Sequence, residues 1–218
     1  MLLALDTATP AVTVAVHDGD RVRAHAGSVE RRRHAEVLTP LVAQVLAEAG
    51  VSGVALSEIV VGVGPGAYTG LRVGLATAGA LGLVWGVPVS GACTLDALAV
   101  EAVGTQPCPD GLLVVADARR SQVFWGRYDD TGTRVLGPAV DAPTAVPEPS
   151  LVAVGAGAMA HPEVFHRART PEHPDAGWLA TGVLAGTVPR LRPEPIYLRQ
   201  PDVTVPGAAK SVLPRSRG

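Results

Sequence analysis

The chain has 218 residues, 47% of them apolar and 17% charged, with 18 Lys and Arg against 20 Asp and Glu for a formal net charge of −2. That length and apolar share are enough to bury a real core in one or two lobes. The charge argues against a stand-alone nucleic-acid-binding domain, which is usually basic, and two cysteines without CxxC spacing argue against a disulfide framework or a zinc knuckle.

The opening MLLALDTATP has no basic leader and meets Asp6 too early for a signal peptide. Residues 2–6 form an apolar run ending in Asp6, followed by a short polar turn. Val12, Val14 and Val16 then alternate with Thr13, Ala15 and His17, and this period of two predicts a strand with unequal faces. Asp6 and Thr7 sit at the tip of the hairpin so formed. A carboxylate and a hydroxyl there suit a hydrated cation with phosphate, and equally suit a turn cap.

Arg31, Arg32 and Arg33 precede an amphipathic stretch, Ala35–Ala49, that stops at Gly50. These arginines could meet RNA phosphates or form a solvated loop. Pro40 lies inside the stretch, so the helix either starts there behind Thr39 or carries a kink.

Strand Ile59–Val63, turn Gly64-Pro65-Gly66 and helix Gly70–Trp85 follow without a spacer. This is how α/β proteins aim backbone N–H groups at an anion, but the Lys-Ser/Thr of a P-loop is missing. The turn is either a phosphate cradle or a tight strand–helix junction. Gly74, Ala78 and Gly82 leave one helix face bare, which permits close approach of another helix or of the protein's own sheet. The longest apolar run, Val73 to Val89, is broken by Gly74, Gly79, Gly82 and Gly86 and is marginal as a membrane span. A cytoplasmic location away from membranes is expected. Strand Val87–Ser90 and a helix from Thr94 to about Val103 complete a lobe over residues 1–104, and 105–110 reads as a linker.

Residues 113–129, LVVADARRSQVFWGRYD, align without a gap on residues 2–18, placing Asp117 on Asp6. A second lobe over 111–202 therefore opens with the same hairpin, carrying Arg119 and Arg120 at its tip. Gly137–Ser150, with four prolines, reads as loop. Leu151–Val154 is a brief strand entering a second glycine turn, Gly155 to Ala158, and Ala176–Thr187 a short helix. Residues 203–218, rich in Pro, Lys and Arg, are expected to be a mobile tail. Strands alternating with helices give an α/β class with mixed central sheets and a reduced second lobe.

LDTATPAVTVAV, RRHAEVLTPLVAQVLAEAGV, GVGPGAYTGLRVGLATAGALG, TLDALA, DARRSQVFWG and PIYLR together resemble the TsaB family, also called YeaZ, from Met1 to about Asp202. The resemblance implies an actin/heat-shock ATPase/sugar kinase architecture of two related lobes. It implies ancestral nucleotide roles for Asp6, Thr7, Gly64, Gly66, Asp117, Gly155 and Gly157, and no firm cofactor beyond weak nucleotide binding. It also implies membership of the bacterial threonylcarbamoyl-adenosine tRNA-modification machinery.

The catalytic relative carries two metal-binding histidines at i, i+4 after the GPG helix. Here no histidine lies between His34 and His161, and His161 and His166 are five apart, off one helical face. The expectation is a non-catalytic, metal-free scaffold that docks the catalytic threonylcarbamoyltransferase subunit, together with a small ATPase subunit, and meets tRNA indirectly. The resemblance assigns docking to the first two helices, through His34, Val37, Leu38, Leu41, Val45, Gly70, Arg72, Gly74, Ala78 and Gly82. Alone, the chain could pair with itself through the same face. The alternatives are a small-molecule kinase or ATPase using Asp6 or Asp117, and a metallopeptidase.

Overall fold

The computed structural model describes residues 1–29 and 33–199. Arg31, Arg32 and the expected tail over 203–218 lie outside the described residues. The first sheet contains β1 (Leu2–Asp6), β2 (Ala11–His17), β3 (Val22–Val29), β4 (Glu58–Gly62) and β5 (Val89–Ala92), in the order β3-β2-β1-β4-β5. β2 runs antiparallel to both its neighbours, and β4 and β5 extend the sheet in parallel.

The second sheet repeats the plan with β6 (Leu112–Asp117), β7 (Val123–Tyr128), β8 (Arg134–Asp141), β9 (Val152–Val154) and β10 (Ala168–Arg169), ordered β10-β9-β6-β7-β8. β7 is again the antiparallel strand. The offset that places Asp6 on Asp117 is therefore the offset that superposes strand on strand. The architecture is the expected α/β fold of two related lobes with mixed sheets.

α1 (His34–Ala49) and α2 (Tyr68–Trp85) cover one face of the first sheet, burying Leu3, Leu5, Val12, Val14, Ile59 and Val61 beneath them. α1 is continuous through Pro40, whose ring is exposed. A proline inside a helix costs about 3 kcal/mol. Burial of Leu38, Val42 and Val45 offsets this, since each fully buried aliphatic side chain contributes about 1.5–3 kcal/mol. Gly50 ends the helix in the left-handed region at φ 67°.

The two remaining long helices cross between the lobes. α3 (Thr94–Thr105) follows the last strand of the first sheet, yet its Leu95, Leu98, Ala99 and Ala102 pack on Leu112, Val114 and Phe124 of the second. α5 (Ala176–Ala185) follows the last strand of the second sheet and returns to the first, burying Ala176, Leu179 and Val183 against Leu2, Ala4, Ala15 and Val60. The expected boundary placed all of 111–202 in the second lobe, and this helix departs from it. Its Asp175 cap accepts from Gly177 N and Trp178 N at 2.7 and 3.2 Å.

The return of α5 explains why β2 is not amphipathic. All seven of its residues are buried, because α1 covers one face and α5 the other. The Thr13 hydroxyl donates to Pro174 O at 3.4 Å and accepts from Ala176 N at 3.1 Å, so its polarity is satisfied in the interior.

Two further expectations change. The stretch expected to be loop, Gly137–Ser150, begins as strand: β8 runs through Gly137-Pro138. It is an edge strand, where a proline without an N–H is tolerated. The helix at the second glycine turn, α4 (Ala156–Ala160), has only five residues, and a 3-10 turn at Pro143–Ala145 stands where the first lobe has α1. The second lobe is smaller for that reason.

Candidate functional site

Asp6 ends β1 fully buried. Its Oδ1 accepts from Ala8 N at 2.8 Å and its Oδ2 from the Thr94 hydroxyl at 2.7 Å. Thr94 in turn accepts from Gly64 N at 3.0 Å. Burial pushes the Asp6 carboxyl up to about 6, against the pull of Thr94 and of the Ala8 amide. Gly62 makes room for it, since a Cβ there would overlap the carboxylate. This carboxylate is enclosed by the start of α3 and presents no face to a hydrated cation.

The Gly64-Pro65-Gly66 turn is filled in the same way. Ala67 N donates to Ala8 O at 2.7 Å, and a Cβ at Gly66 would collide with the Ala8 backbone. The Thr7 hydroxyl donates to Gly70 O at 2.7 Å. The turn of the first hairpin therefore sits where a phosphate cradle would need open space, and the glycines serve that contact. In the second lobe, Gly155 N and Ala156 N donate to Pro171 O and Glu172 O at 2.8 and 2.9 Å. Gly155 adopts φ 105°, and an added Cβ at Gly155 or Gly157 would meet the backbone of Val115 or Ala116. Of the two tip carboxylates only Asp117 is exposed, and its Oδ1 caps its own turn through Arg119 N at 2.7 Å.

The bare stripe of α2 also turns inward. Gly70, Gly74, Ala78 and Gly82 are buried. A side chain at Gly74 would strike the Thr7 hydroxyl, and one at Gly82 would strike Val89. The expectation that Gly74, Ala78 and Gly82 form a docking face is corrected: the stripe lets α2 approach its own sheet. Leu38 and Val45 are core residues, Val37 and Leu41 are half-buried against the same core, and His34 Nε2 pairs with Thr9 O at 2.8 Å. Of the expected interface residues only Arg72 is exposed; its guanidinium lies 3.9 Å over the Tyr68 ring and reaches the Tyr197 hydroxyl at 3.3 Å.

The opposite side of α2 is an exposed apolar surface. Leu83 and Val84 are 85% and 76% exposed, and Ala76, Gly79 and Ala80 continue that side with little bulk. Val54 adds to it at 69%, from a 3-10 turn, Gly53–Ala55, whose Gly53 lies under the Trp85 ring. The sequence did carry the signal for this face: Leu83 and Val84 are large apolar residues out of phase with the buried stripe. Among the described residues, no three His, Cys, Asp or Glu side chains converge as they would to hold a metal ion, and no helix is long and apolar enough to cross a membrane.

Residues 27–165 match the family model described as TsaD: tRNA N6-adenosine threonylcarbamoyltransferase. An uncharacterised protein of Mycobacterium tuberculosis (strain ATCC 25618 / H37Rv) is 43% identical over 210 residues, which span 92% of each chain. The tRNA threonylcarbamoyladenosine biosynthesis protein TsaB of Escherichia coli (strain K12) is 33% identical over 133 residues, 60% of this chain and 57% of that protein. A crystal structure of an uncharacterised protein with similarity to peptidase YeaZ from Pseudomonas aeruginosa superposes with a TM-score of 0.78 at 30% identity, covering 91% of this chain and 99% of that one. YeaZ from Pseudomonas aeruginosa superposes with a TM-score of 0.72 at 28% identity, over 90% and 99% of the two chains.

Proposed function

We propose, since the chain belongs to the TsaB family of tRNA threonylcarbamoyladenosine biosynthesis proteins, that it is a non-catalytic scaffold whose outer α2 face docks the threonylcarbamoyltransferase subunit. The observation that carries this reading is the pairing of Leu83 and Val84, large and exposed, with the small residues Ala76, Gly79 and Ala80 on the same side. Small residues let a partner helix come near, and flanking large ones fill its grooves. Isolated apolar side chains on a surface need no explanation, but a contiguous group points to a partner.

The interior supports the same reading from the other direction. Asp6, the Gly64–Gly66 turn and the Gly155–Gly157 turn spend their hydrogen-bonding groups on the protein's own backbone and side chains. Phosphate transfer by this chain would require those contacts to be broken first. The scaffold works with a TsaD-like catalytic subunit and a TsaE-like small ATPase subunit. The net charge of −2 leaves tRNA contact to those subunits. Without the catalytic subunit, the same face pairs two copies of this chain.

The test is reconstitution of tRNA threonylcarbamoylation from the catalytic subunit, the ATPase subunit, threonylcarbamoyl-adenylate and tRNA, with this protein intact, absent, or as Leu83→Glu. Modified tRNA that requires the intact protein, and a folded Leu83→Glu variant that neither binds the catalytic subunit nor supports the reaction, is the expected outcome. Full activity with Leu83→Glu would remove the outer α2 face from the mechanism.

A further inference from the structure

PIYLR, at residues 195–199, ties the end of the described chain to both lobes. Ile196 N donates to Val63 O at 2.8 Å in the first lobe, and Arg199 Nη1 donates to Ala118 O at 3.0 Å in the second. Tyr197, held between those two points, stacks on Tyr68 with ring centroids 4.8 Å apart. Arg72 closes the cluster. Its guanidinium lies 3.9 Å over the Tyr68 ring, Nη2 donates to the Tyr68 hydroxyl, and Nε donates to the Tyr197 hydroxyl at 3.3 Å.

This cluster stands on the outer side of α2. Tyr68, Arg72, Ala76, Gly79 and Leu83 recur at helical spacing and share one face. Arg72, Ala76, Gly79 and Leu83 are exposed, and Tyr68 is half-buried beneath the guanidinium. At the rise of an α-helix the line is about 22 Å long. One partner's share of an ordinary interface, about 800 Å², takes in its whole length.

Arg72 is the one charged residue of α2. Its guanidinium meets two neutral phenols and, among the described residues, no carboxylate. Water satisfies the remaining N–H donors while the face is open. A partner that covers the face strips that water away, and a buried guanidinium without an anion is costly. The phenols accept hydrogen bonds but bring no charge to balance it. The two rings also hold the guanidinium in place before a partner arrives, which lowers the entropy lost on binding.

We propose, building on the outer α2 face as the docking surface, that Arg72 is its polar anchor and receives a carboxylate, an Asp or Glu side chain, from the catalytic subunit. Tyr68 and Tyr197 position the guanidinium for that contact. α2 contains no Asp or Glu, so a second copy set α2 against α2 cannot supply the group. The carboxylate is therefore assigned to the catalytic subunit.

The experiment measures binding of the catalytic subunit to the intact protein by isothermal titration calorimetry. The variants are Arg72→Met, Arg72→Lys, Tyr197→Ala, the double variant Arg72→Met/Tyr197→Ala, and Leu83→Glu. With a carboxylate opposite, Arg72→Met strands that charge, and affinity should fall by about tenfold or more. Arg72→Lys keeps the charge and should recover part of the loss. With no carboxylate opposite, Arg72→Met removes only a desolvation cost; affinity that stays level or rises overturns the proposal. Tyr197→Ala should weaken binding when Arg72 is intact and change nothing in the Arg72→Met background, because it acts through the guanidinium. Equal effects in the two backgrounds would remove Tyr197 as a positioning residue. Leu83→Glu tells the two possible failures apart. If Leu83→Glu and Arg72→Met both bind as wild type does, the outer face is not the docking surface. If Leu83→Glu loses binding and Arg72→Met does not, the face stands and the anchor falls. Arg72 and Tyr197 are both exposed, and thermal melts of their variants check that the fold is kept.

Discussion

The Thr7 hydroxyl occupies the space that a side chain at Gly74 would need, while it donates to the Gly70 carbonyl one helical turn away at 2.7 Å. The first hairpin and α2 are thus fitted through atoms 63 residues apart. Gly74→Ala forces a shift of α2 or of Thr7 and should cost about 1–3 kcal/mol, the usual range for overpacking. Gly79, on the outer side, has nothing within 4 Å of an added Cβ. Gly79→Ala should be neutral or stabilising by up to about 1 kcal/mol through helix propensity. Urea unfolding of the two variants checks the orientation of the helix. Equal effects would mean that the stripe does not face the sheet.

The enclosed Asp6 gives a signed prediction. Its carboxyl titrates at about 6 in the folded protein against an ordinary 3.8, so between those values the folded state holds more protons than the unfolded one. A raised carboxylate pKa means stability that is lost as pH rises. Asp6→Asn removes this titration. Relative to the variant, the wild type should lose stability on the order of 2 kcal/mol from pH 4 to pH 7. Chemical denaturation of both proteins at several pH values in that range measures the difference. A difference that stays flat with pH would mean the carboxylate is solvated after all.

Much of the fold was legible in the residues. The offset of Asp6 onto Asp117 marked the repeated hairpin, and the periodicity of 35–49 and 70–85 placed α1 and α2 to within two residues. Two things were not legible, and both depend on distant chain. The alternation in β2 suggested one covered face, because nothing local shows that α5 comes back more than 150 residues later to cover Thr13 and Ala15. The stripe Gly74/Ala78/Gly82 specifies close approach by something. It does not say whether that is a partner or the strand carrying Val89, since missing side chains look alike in both cases. The site was obscured for the same reason, as the glycine turns answer to Ala8 and Pro171, which local sequence does not bring near.

Leu83 and Val84 contribute to no core cluster and stand in solvent. Leu83→Glu and Val84→Glu should therefore change unfolding stability by no more than about 0.5 kcal/mol. That separates surface function from folding, because Ala78→Trp would fill a position with no exposure at all and fail for reasons of packing. Thermal melts of the two glutamate variants, together with their elution volumes in gel filtration, give the check. A loss of several kcal/mol would show that these side chains are structural.

The junction of the lobes rests on a buried ion pair whose removal should be costly in one direction only. Asp96 on α3 is 1% exposed, and its Oδ1 accepts from the Tyr128 hydroxyl at 2.7 Å and from Arg134 Nε at 3.0 Å. Arg134 also donates to Gly137 O at 3.0 Å, so one guanidinium ties α3 to the edge strand β8. Arg134→Met strands the Asp96 carboxylate and should cost about 3–5 kcal/mol. Tyr128→Phe, which removes one donor, should cost about 1.5–3 kcal/mol, as for a hydrogen bond to a charged group. Adding Asp96→Asn to Arg134→Met takes away the stranded charge and should restore much of the loss. The cycle of single and double variants, measured by urea unfolding, separates the worth of the pair from the penalty of breaking it. If Arg134→Met alone costs under about 1 kcal/mol, as exposed pairs do, the clasp is not what fixes α3 on the second sheet, and the apolar contacts of Leu95 and Leu98 with Leu112 and Val114 carry that junction by themselves.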